Sequence, residues 1–160
     1  YEGTTAIQAN DLIGRKMARE GGVTANALIG TMRAFVTELA QSTHPHLIVA
    51  ARRLREGIDA AERAVAFNLA HFNQDIRACF AGSVPMVKLF GIVCGGWQLA
   101  RVGLAAERRL AAGDPDREFL EAKLATLRFY VDTMLPEAIA AADVVVNGAE
   151  GTMALAESAF

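Results

Sequence analysis

Three histidines are the first candidates for chemistry, because imidazole nitrogens bind metals and transfer protons near neutral pH. His44 and His46 flank a proline in a predicted turn, and His71 stands alone in a long helical pattern. Helical bundles that hold two metal ions use Glu-x-x-His pairs on two helices together with further inward glutamates. That spacing does not occur in the sequence. We therefore expect exposed or hydrogen-bonded histidines and predict no metal site.

Hydroxyl and thiol side chains are the next candidates, as nucleophiles. Ser42, Ser83 and Ser158 fall at predicted helix caps or in the C-terminal tail, where serine ordinarily bonds to nearby backbone groups. The sequence has neither a Gly-x-Ser-x-Gly elbow nor a Walker-type phosphate loop. Cys79 and Cys94 lie in apolar segments without a Cys-x-x-Cys pattern, so we expect buried free thiols in a reducing, cytoplasmic compartment.

The carboxylate of Glu2 is the remaining candidate, and its position has an ordinary explanation. An acidic residue before a helix start is favoured by the helix macrodipole. Thr5, three residues later, is explained by capping alone. The residue types by themselves therefore do not require a catalytic role here.

The overall composition predicts an all-α protein. Hydrophobic residues make up 52% of the 160 residues, and much of that share is alanine, the strongest helix former. Alternating runs of β-branched and aromatic residues, which indicate strands, are missing. The net charge of −2 is not gathered in a basic stripe, which argues against nucleic-acid binding. The most apolar stretch, residues 89–100, is well short of the roughly 20 residues that cross a bilayer, so we expect no membrane span.

Capping signals and apolar periodicity divide the chain into five helices. The first has Thr5 in a Thr-x-x-Gln capping box and ends at Gly21 and Gly22. The later helices are predicted to begin near Thr24, Pro45, Ser83 and Asp114 with Pro115. The third is predicted to run unbroken to Cys79, the fourth to end near Gly113, and the fifth to end at Asn147 and Gly148 with a kink at Pro136. Short turns between long helices predict an antiparallel up-and-down bundle with a short leading helix.

Aromatic and cationic residues within the bundle leave two questions open. Phe90, Trp97 and Tyr130 recur at helical spacing, which favours core packing, although they could also line a cavity for a hydrophobic ligand. Arg101 and Arg128 lie on predicted apolar stripes and could form ion pairs inside the bundle or at a subunit interface. The sequence does not separate these alternatives.

The opening segment, Tyr-Glu-Gly-Thr-Thr-Ala-Ile-Gln over residues 1–8 and Asp-Leu-Ile-Gly-Arg-Lys over residues 11–16, resembles the base-bearing segment of FAD-dependent acyl-CoA dehydrogenases. The rest is similar to the additional C-terminal helical domain of one branch of that family. The residues that carry this second resemblance are Gly95-Gly96-Trp97, Ala100-Arg101, Lys123, Arg128-Phe129-Tyr130 and Ala159-Phe160.

The resemblance implies a set of roles for the opening residues. Glu2 would be the catalytic base that removes the α-proton of an acyl-CoA thioester while the β-hydride passes to FAD. Gly3 would contact the substrate, and Thr4, Thr5 and Ala6 would contact the flavin nucleotide. Many relatives have a side-chain amide at the position of Ala6, whose methyl group cannot replace that hydrogen bond, so Ala6 can offer only backbone contact.

The sequence therefore predicts a C-terminal fragment of such an enzyme. Residues 1–22 would end the dehydrogenase core and residues 23–160 would form an appended bundle, and the absence of an initiator methionine suggests that the polypeptide begins upstream. We expect the isolated chain to be inactive and structural, without retained FAD. Its expected partners are the upstream domains of the same polypeptide and, in the whole enzyme, acyl-CoA and further copies in a homo-oligomer. A free-standing helical module that binds a partner or a hydrophobic ligand is the alternative.

Overall fold

Helices make up the regular structure of the chain, in keeping with its alanine-rich composition. A computed structural model describes residues 4–159, and no strand occurs within that range. The elements are α1 (Thr5–Asp11), a π-helical segment that continues it (Leu12–Ala18), α2 (Val23–Leu39), α3 (Pro45–His71), α4 (Ile76–Ala81), α5 (Ser83–Ala111), α6 (Arg117–Thr133), α7 (Leu135–Asn147), α8 (Ala149–Thr152) and a 3-10 turn (Glu157–Ala159). The all-α prediction is confirmed.

The bundle consists of α2, α3, α5 and the consecutive pair α6 and α7. Short connections join these helices, so successive ones run antiparallel. α5 lies against α3, α6 and α7, while α2 packs against α3. The apolar stripes meet in one core, in which Leu54, Ile58, Leu89 and Leu127 are completely buried. The predicted up-and-down bundle is therefore present.

The central helix α5 is unusually apolar because it has neighbours on several sides. By length and composition it could cross a membrane, with a mean hydropathy of 1.4 over its most apolar window. However, 44% of that window is buried inside the bundle. Packing as a core helix accounts for this apolarity without any lipid contact.

Residues 72–75 interrupt what the apolar periodicity predicted to be one long helix. α3 ends at His71 and α4 begins at Ile76, so the expectation of an unbroken third helix to Cys79 was wrong. The Asp75 carboxylate accepts a hydrogen bond from the Ala78 N–H at 3.1 Å and thereby caps α4. Asx capping competes with helix continuation for the same backbone groups, and here capping prevails.

Other helix ends lie close to their predicted positions, with small shifts at three N-caps. Thr4 rather than Thr5 occupies the N-cap of α1, and Gly22 rather than Thr24 that of α2. Asp116 rather than Asp114 precedes α6, because the Asp114 carboxylate accepts from the Asp116 N–H and forms a turn there. The kink predicted at Pro136 within one helix is instead an interruption, since α6 ends at Thr133 and α7 begins at Leu135.

Small residues let the helices of the bundle approach closely. A methyl group on Gly95 would lie 2.5 Å from the Tyr130 hydroxyl oxygen, which itself donates a hydrogen bond to the Ile92 carbonyl at 3.0 Å. Leu135 fits between α3 and α5, where a Cβ on either Gly57 or Gly96 would lie 3.2 Å from its Cδ2. The glycines therefore allow interhelical contacts that larger residues would prevent.

Candidate functional site

Three of the five residues predicted to act in chemistry or binding are described by the structure. Glu2 and Gly3 fall outside the described residues. Thr4, Thr5 and Ala6 are exposed at the N-terminal end of α1. The roles assigned to these five residues remain predictions.

The leading helix is held firmly by its buried face. Ala9, Ile13 and Met17 are 0%, 0% and 3% exposed, and they recur at the spacing of four that brings side chains onto one face. α1 packs against α5, and the Cβ position of Gly14 lies 3.6 Å from the rings of Phe72 and Phe80. The segment that carries Thr4 to Ala6 is therefore anchored to the bundle on its C-terminal side.

A change of helix type occurs in the middle of this leading helix. Over Leu12–Ala18 the backbone is π-helical, and the Arg19 N–H donates to the Gly14 carbonyl five residues earlier at 3.2 Å. π-helical turns are rare in proteins, and many of those that do occur lie at functional sites. The helix ends where Gly21 and Gly22 adopt left-handed conformations with φ of 63° and 76°, as the sequence predicted.

Asp11 lies where the α-helical and π-helical parts meet and forms ion pairs with two basic side chains. The Arg15 guanidinium donates to the carboxylate at 3.0 Å, and Lys16 Nζ lies 3.4 Å from it. The hydrogen bond from Arg15 lowers the pKa of Asp11 below its ordinary value, so this carboxylate is ionised at neutral pH. These exposed charges mark one side of the groove described next.

An apolar groove runs between the π-helical segment, the start of α2 and the first half of α5. We call it the leading-helix groove, and its cavity volume is about 710 Å³. Met17, Leu28, Phe90 and Cys94 are among the apolar residues that line it, and Val87 and Gly91 are exposed within it. The remaining lining residues are Leu12, Arg15, Lys16, Glu20, Thr24 and Ala25. Sequence reasoning missed this groove because its walls come from three separate elements.

The rim of the groove carries charges of both signs. Arg15 and Lys16 contact Asp11 on one side. The Glu20 carboxylate accepts hydrogen bonds from the backbone N–H and the hydroxyl of Thr24, at 3.2 Å and 3.0 Å. The four charges therefore sum to zero when Asp11 is counted, which pairs with Arg15 and Lys16 but does not itself line the groove.

Neither cysteine is activated as a nucleophile. Both thiols are free, with Cys79 buried and Cys94 half-buried, as the sequence predicted for free thiols in apolar surroundings. Burial raises the pKa of both thiols above the ordinary value. Because the thiolate is the reactive form, both groups are protonated and weakly nucleophilic at neutral pH.

The histidines are held by local contacts. The His44 Nδ1 accepts from the His46 N–H at 3.2 Å, and His71 Nδ1 lies 2.8 Å from the Phe67 carbonyl oxygen. Burial lowers the pKa of His46, which favours its neutral form. Among residues 4–159, no three His, Cys, Asp or Glu side chains are grouped so that they could hold a metal ion.

The aromatic residues do not surround one common cavity. Phe90 lines the leading-helix groove, whereas Tyr130 packs between α5 and α6. Trp97 is half-buried, with the Arg101 guanidinium 5.5 Å from its ring centroid. Arg128 forms its ion pair with Asp132, one turn along the same exposed helix surface. The aromatic set predicted as a possible ligand cavity is thus divided between the groove and the helix contacts.

Comparison with known proteins identifies relatives for nearly the whole chain. Residues 28–156 match the family described as acetyl-CoA dehydrogenase C-terminal like. The chain is 43% identical over 141 residues to 3-methylmercaptopropionyl-CoA dehydrogenase of Ruegeria pomeroyi, a match that covers 86% of this chain and 23% of that protein. It is 32% identical over 169 residues to a broad-specificity linear acyl-CoA dehydrogenase of Mycobacterium tuberculosis, covering 100% of this chain and 27% of that protein. The chain therefore spans about a quarter of the length of these curated relatives.

Proposed function

Since the chain belongs to the acetyl-CoA dehydrogenase C-terminal-like family, we propose that it is the C-terminal quarter of a flavoprotein acyl-CoA dehydrogenase. The complete enzyme would introduce a double bond between the α and β carbons of an acyl-CoA thioester. Its relatives in Ruegeria pomeroyi and Mycobacterium tuberculosis are named for acyl-CoA dehydrogenation.

The observation that carries this proposal is the extent of one of those matches. The alignment with the broad-specificity linear acyl-CoA dehydrogenase covers 100% of this chain, and so includes the leading segment as well as the bundle. The family match alone begins at residue 28, within α2. The continuous relationship therefore supports the assignment of residues 1–6 to the same enzyme.

Glu2 is the proposed catalytic base. Its carboxylate would take the proton from the α carbon, and the electron pair of that C–H bond would become part of the new carbon–carbon double bond. The chemistry that bound FAD would supply is that of an acceptor for the β-hydride, which carries the two electrons of the oxidation. An apolar, substrate-filled pocket would raise the pKa of such a carboxyl towards the working pH, which suits proton abstraction.

Thr4, Thr5 and Ala6 are the residues of this chain that would face the cofactor. All three are exposed at the start of α1, which fits contact with a nucleotide bound outside the bundle. The two threonine hydroxyls can donate and accept hydrogen bonds, whereas Ala6 offers only its backbone and a methyl group. Gly3 would contact the thioester substrate.

The bundle's proposed role is to position this leading segment. Ala9, Ile13 and Met17 fix the leading helix by their burial, and α5 supplies the surface against which α1 packs. A base must be held within hydrogen-bonding reach of the proton that it removes. By itself the chain lacks the upstream three quarters of the relatives' length, so we expect it to be inactive.

Replacement of Glu2 tests the proposal in the complete polypeptide. Glu2→Gln preserves the shape of the side chain but removes its basicity, so we expect flavin to stay bound while turnover falls by at least about 10²-fold. A dye-coupled assay with an acyl-CoA substrate measures turnover, and the flavin absorbance measures retention. The matched control is Glu118→Gln, which makes the same change at an exposed position on α6. Unchanged turnover in Glu2→Gln would remove Glu2 as the base.

A further inference from the structure

The leading-helix groove exposes apolar surface that no part of the described chain covers. Val87 is 37% exposed in it, and a Cβ at Gly91 would have no heavy atom within 4 Å. Two further apolar residues are exposed on the leading helix and α2, Ile7 at 64% and Val23 at 68%. Exposed apolar surface such as that of the groove marks a site of contact with another molecule or segment.

The charges around the groove indicate which occupant fits. A ligand with a phosphate-bearing head, such as an acyl-CoA, calls for a surplus of cations at the mouth of its site. Arg15 and Lys16 instead both pair with Asp11, and Glu20 also lines the groove, so that these four charges sum to zero. An apolar surface with a polar, solvent-accessible rim is the pattern of a protein interface.

The shape and position of the groove favour a helix of the same polypeptide as its occupant. Its walls are helices, and a further amphipathic helix packs naturally into such a groove with its apolar face inward. α1 has seven residues, so Thr5 lies only about 10 Å from the groove wall at Leu12. A segment joined to the leading helix by a short linker would have a high effective concentration at the groove. The relatives' lengths imply that about three quarters of such a polypeptide lies outside this chain.

We propose that the leading-helix groove is the docking site for a helix from the upstream part of the same polypeptide, which covers Val87, Gly91 and Cys94 with its apolar face. This inference rests on the proposed function in one respect, since it takes the chain as the C-terminal part of a longer protein. The docked helix would lock the leading helix between two neighbours and thereby fix the segment that carries Glu2. The bundle and the docked helix would then hold the leading helix from two sides.

Photo-cross-linking of the complete polypeptide tests which segment occupies the groove. A benzophenone-bearing residue is introduced at Val87, and the oligomer is reassembled from equal amounts of unlabelled and isotope-labelled protein. Mass spectrometry then identifies the cross-linked peptides without any reading of activity. We expect Val87 to join to a peptide upstream of residue 1, with both halves carrying the same isotope label.

Three other results would overturn the proposal. Cross-links that join labelled to unlabelled peptides would show that a second copy fills the groove. A cross-link that is lost on addition of acyl-CoA would assign the groove to a ligand. If Val87 forms no cross-link to any peptide, the groove is open in the complete protein. Each result is read independently of Glu2→Gln, so failure of the docking proposal and failure of the proposed function are distinguishable.

A charge placed in the groove supplies a second test in the same complete protein. Val87→Glu should expel the docked helix and raise the maleimide labelling rate of Cys94 at least tenfold. Val102→Glu is the matched control, because Val102 is on the same helix, 43% exposed, and outside the groove. Cys79 is completely buried in the core, so its continued protection shows that the variant is folded. An equal Cys94 labelling rate in wild type and Val87→Glu would contradict the proposal.

Discussion

The inner face of α5 and its groove face, which Val87, Gly91 and Cys94 line, differ sharply in how closely they are packed. On the inner face, a Cβ added to Gly103 would come within 2.6 Å of Leu127 Cδ2. Gly91 and Gly95 lie one helical turn apart on nearly the same side of α5. A Cβ on Gly95 would come within 2.5 Å of the Tyr130 hydroxyl oxygen, whereas a Cβ at Gly91 would have no heavy atom within 4 Å. The same residue type therefore serves close helix packing at Gly95 and Gly103 and borders an open groove at Gly91.

The inner face of α5 is closely packed within the chain, whereas its groove face is open. The inner contacts among α3, α5, α6 and α7 close a continuous core within the chain. The groove face carries apolar surface of the same kind, but no element of residues 4–159 covers it. The stability of the chain therefore comes chiefly from the inner face, while the groove face is the surface on which we propose that a neighbour docks.

Removal of the Leu135 side chain should have the largest effect on stability. Leu135 is 1% exposed at the start of α7 and fits against Gly57 of α3 and Gly96 of α5. Leu135→Ala leaves a cavity at the meeting point of three helices, so we expect a loss of about 3 kcal/mol in the free energy of unfolding. Urea denaturation followed by circular dichroism measures it.

The control for this change lies one turn along the same helix. Ile139 is 40% exposed, and Ile139→Ala should cost well under about 1 kcal/mol because it leaves no buried cavity. Similar losses of unfolding free energy for the two variants would mean that the side of α7 that faces the core is no better packed than its exposed side.

Addition of a single methyl group to the inner face should have the next largest effect. At Gly103 the new Cβ would lie 2.6 Å from Leu127 Cδ2 and 3.1 Å from Leu47 Cδ2, and both leucines are completely buried. We expect Gly103→Ala to cost about 2 kcal/mol of unfolding free energy, since the core must shift to accept it. Denaturant midpoints at constant m-value provide the measurement.

A double mutant shows whether overpacking is the cause. Leu127→Ala removes the closest atom, so the loss in the double mutant with Gly103→Ala should be smaller than the sum of the two single losses. Strict additivity of the two losses would exclude a steric clash between these positions.

The Tyr130 hydroxyl should contribute less than either packing change. It donates to the Ile92 carbonyl at 3.0 Å, and burial raises the pKa of this phenol, so it remains a protonated donor at neutral pH. Tyr130→Phe removes the bond at a cost of about 1 kcal/mol. It also clears the position 2.5 Å from the Gly95 Cβ site, so Gly95→Ala should be better tolerated in the Tyr130→Phe background. Thermal unfolding of the four combinations gives the coupling.

Helix ends marked by glycine or proline could be predicted from the sequence. Gly21 and Gly22 end the leading helix with the left-handed geometry that favours glycine, and Pro45 begins α3 as expected. The break at residues 72–75 could not be predicted by the same means, because the apolar spacing continues across it. Ile76, which that spacing assigned to the buried stripe, is 43% exposed. A side-chain cap from Asp75, a weaker signal in sequence, decides the structure there.

The candidate site was predictable only in part. The proposed roles of residues 2–6 rest on a resemblance, since an acid before a helix start has an ordinary electrostatic explanation. The groove was not predictable at all, because Met17, Leu28 and Phe90 come from different elements and meet only through the fold. Periodicity shows which face of one helix is apolar, but it does not show which faces remain uncovered after the helices pack.

The smallest expected effect has the opposite sign and tests the groove face directly. Gly91 and Gly30 are both exposed in helix interiors, and a Cβ at either position would have no heavy atom within 4 Å. In the isolated chain Gly91→Ala and Gly30→Ala should each stabilise the fold by about 0.8 kcal/mol, because alanine loses less backbone entropy in a helix. In the complete polypeptide a helix docked in the groove would meet the new methyl group at Gly91. The gain there should then vanish or reverse, while Gly30, which does not line the groove, sets the reference. Paired unfolding measurements on the two proteins decide the point, since an undiminished gain at Gly91 in the complete protein means that nothing packs against this face of α5.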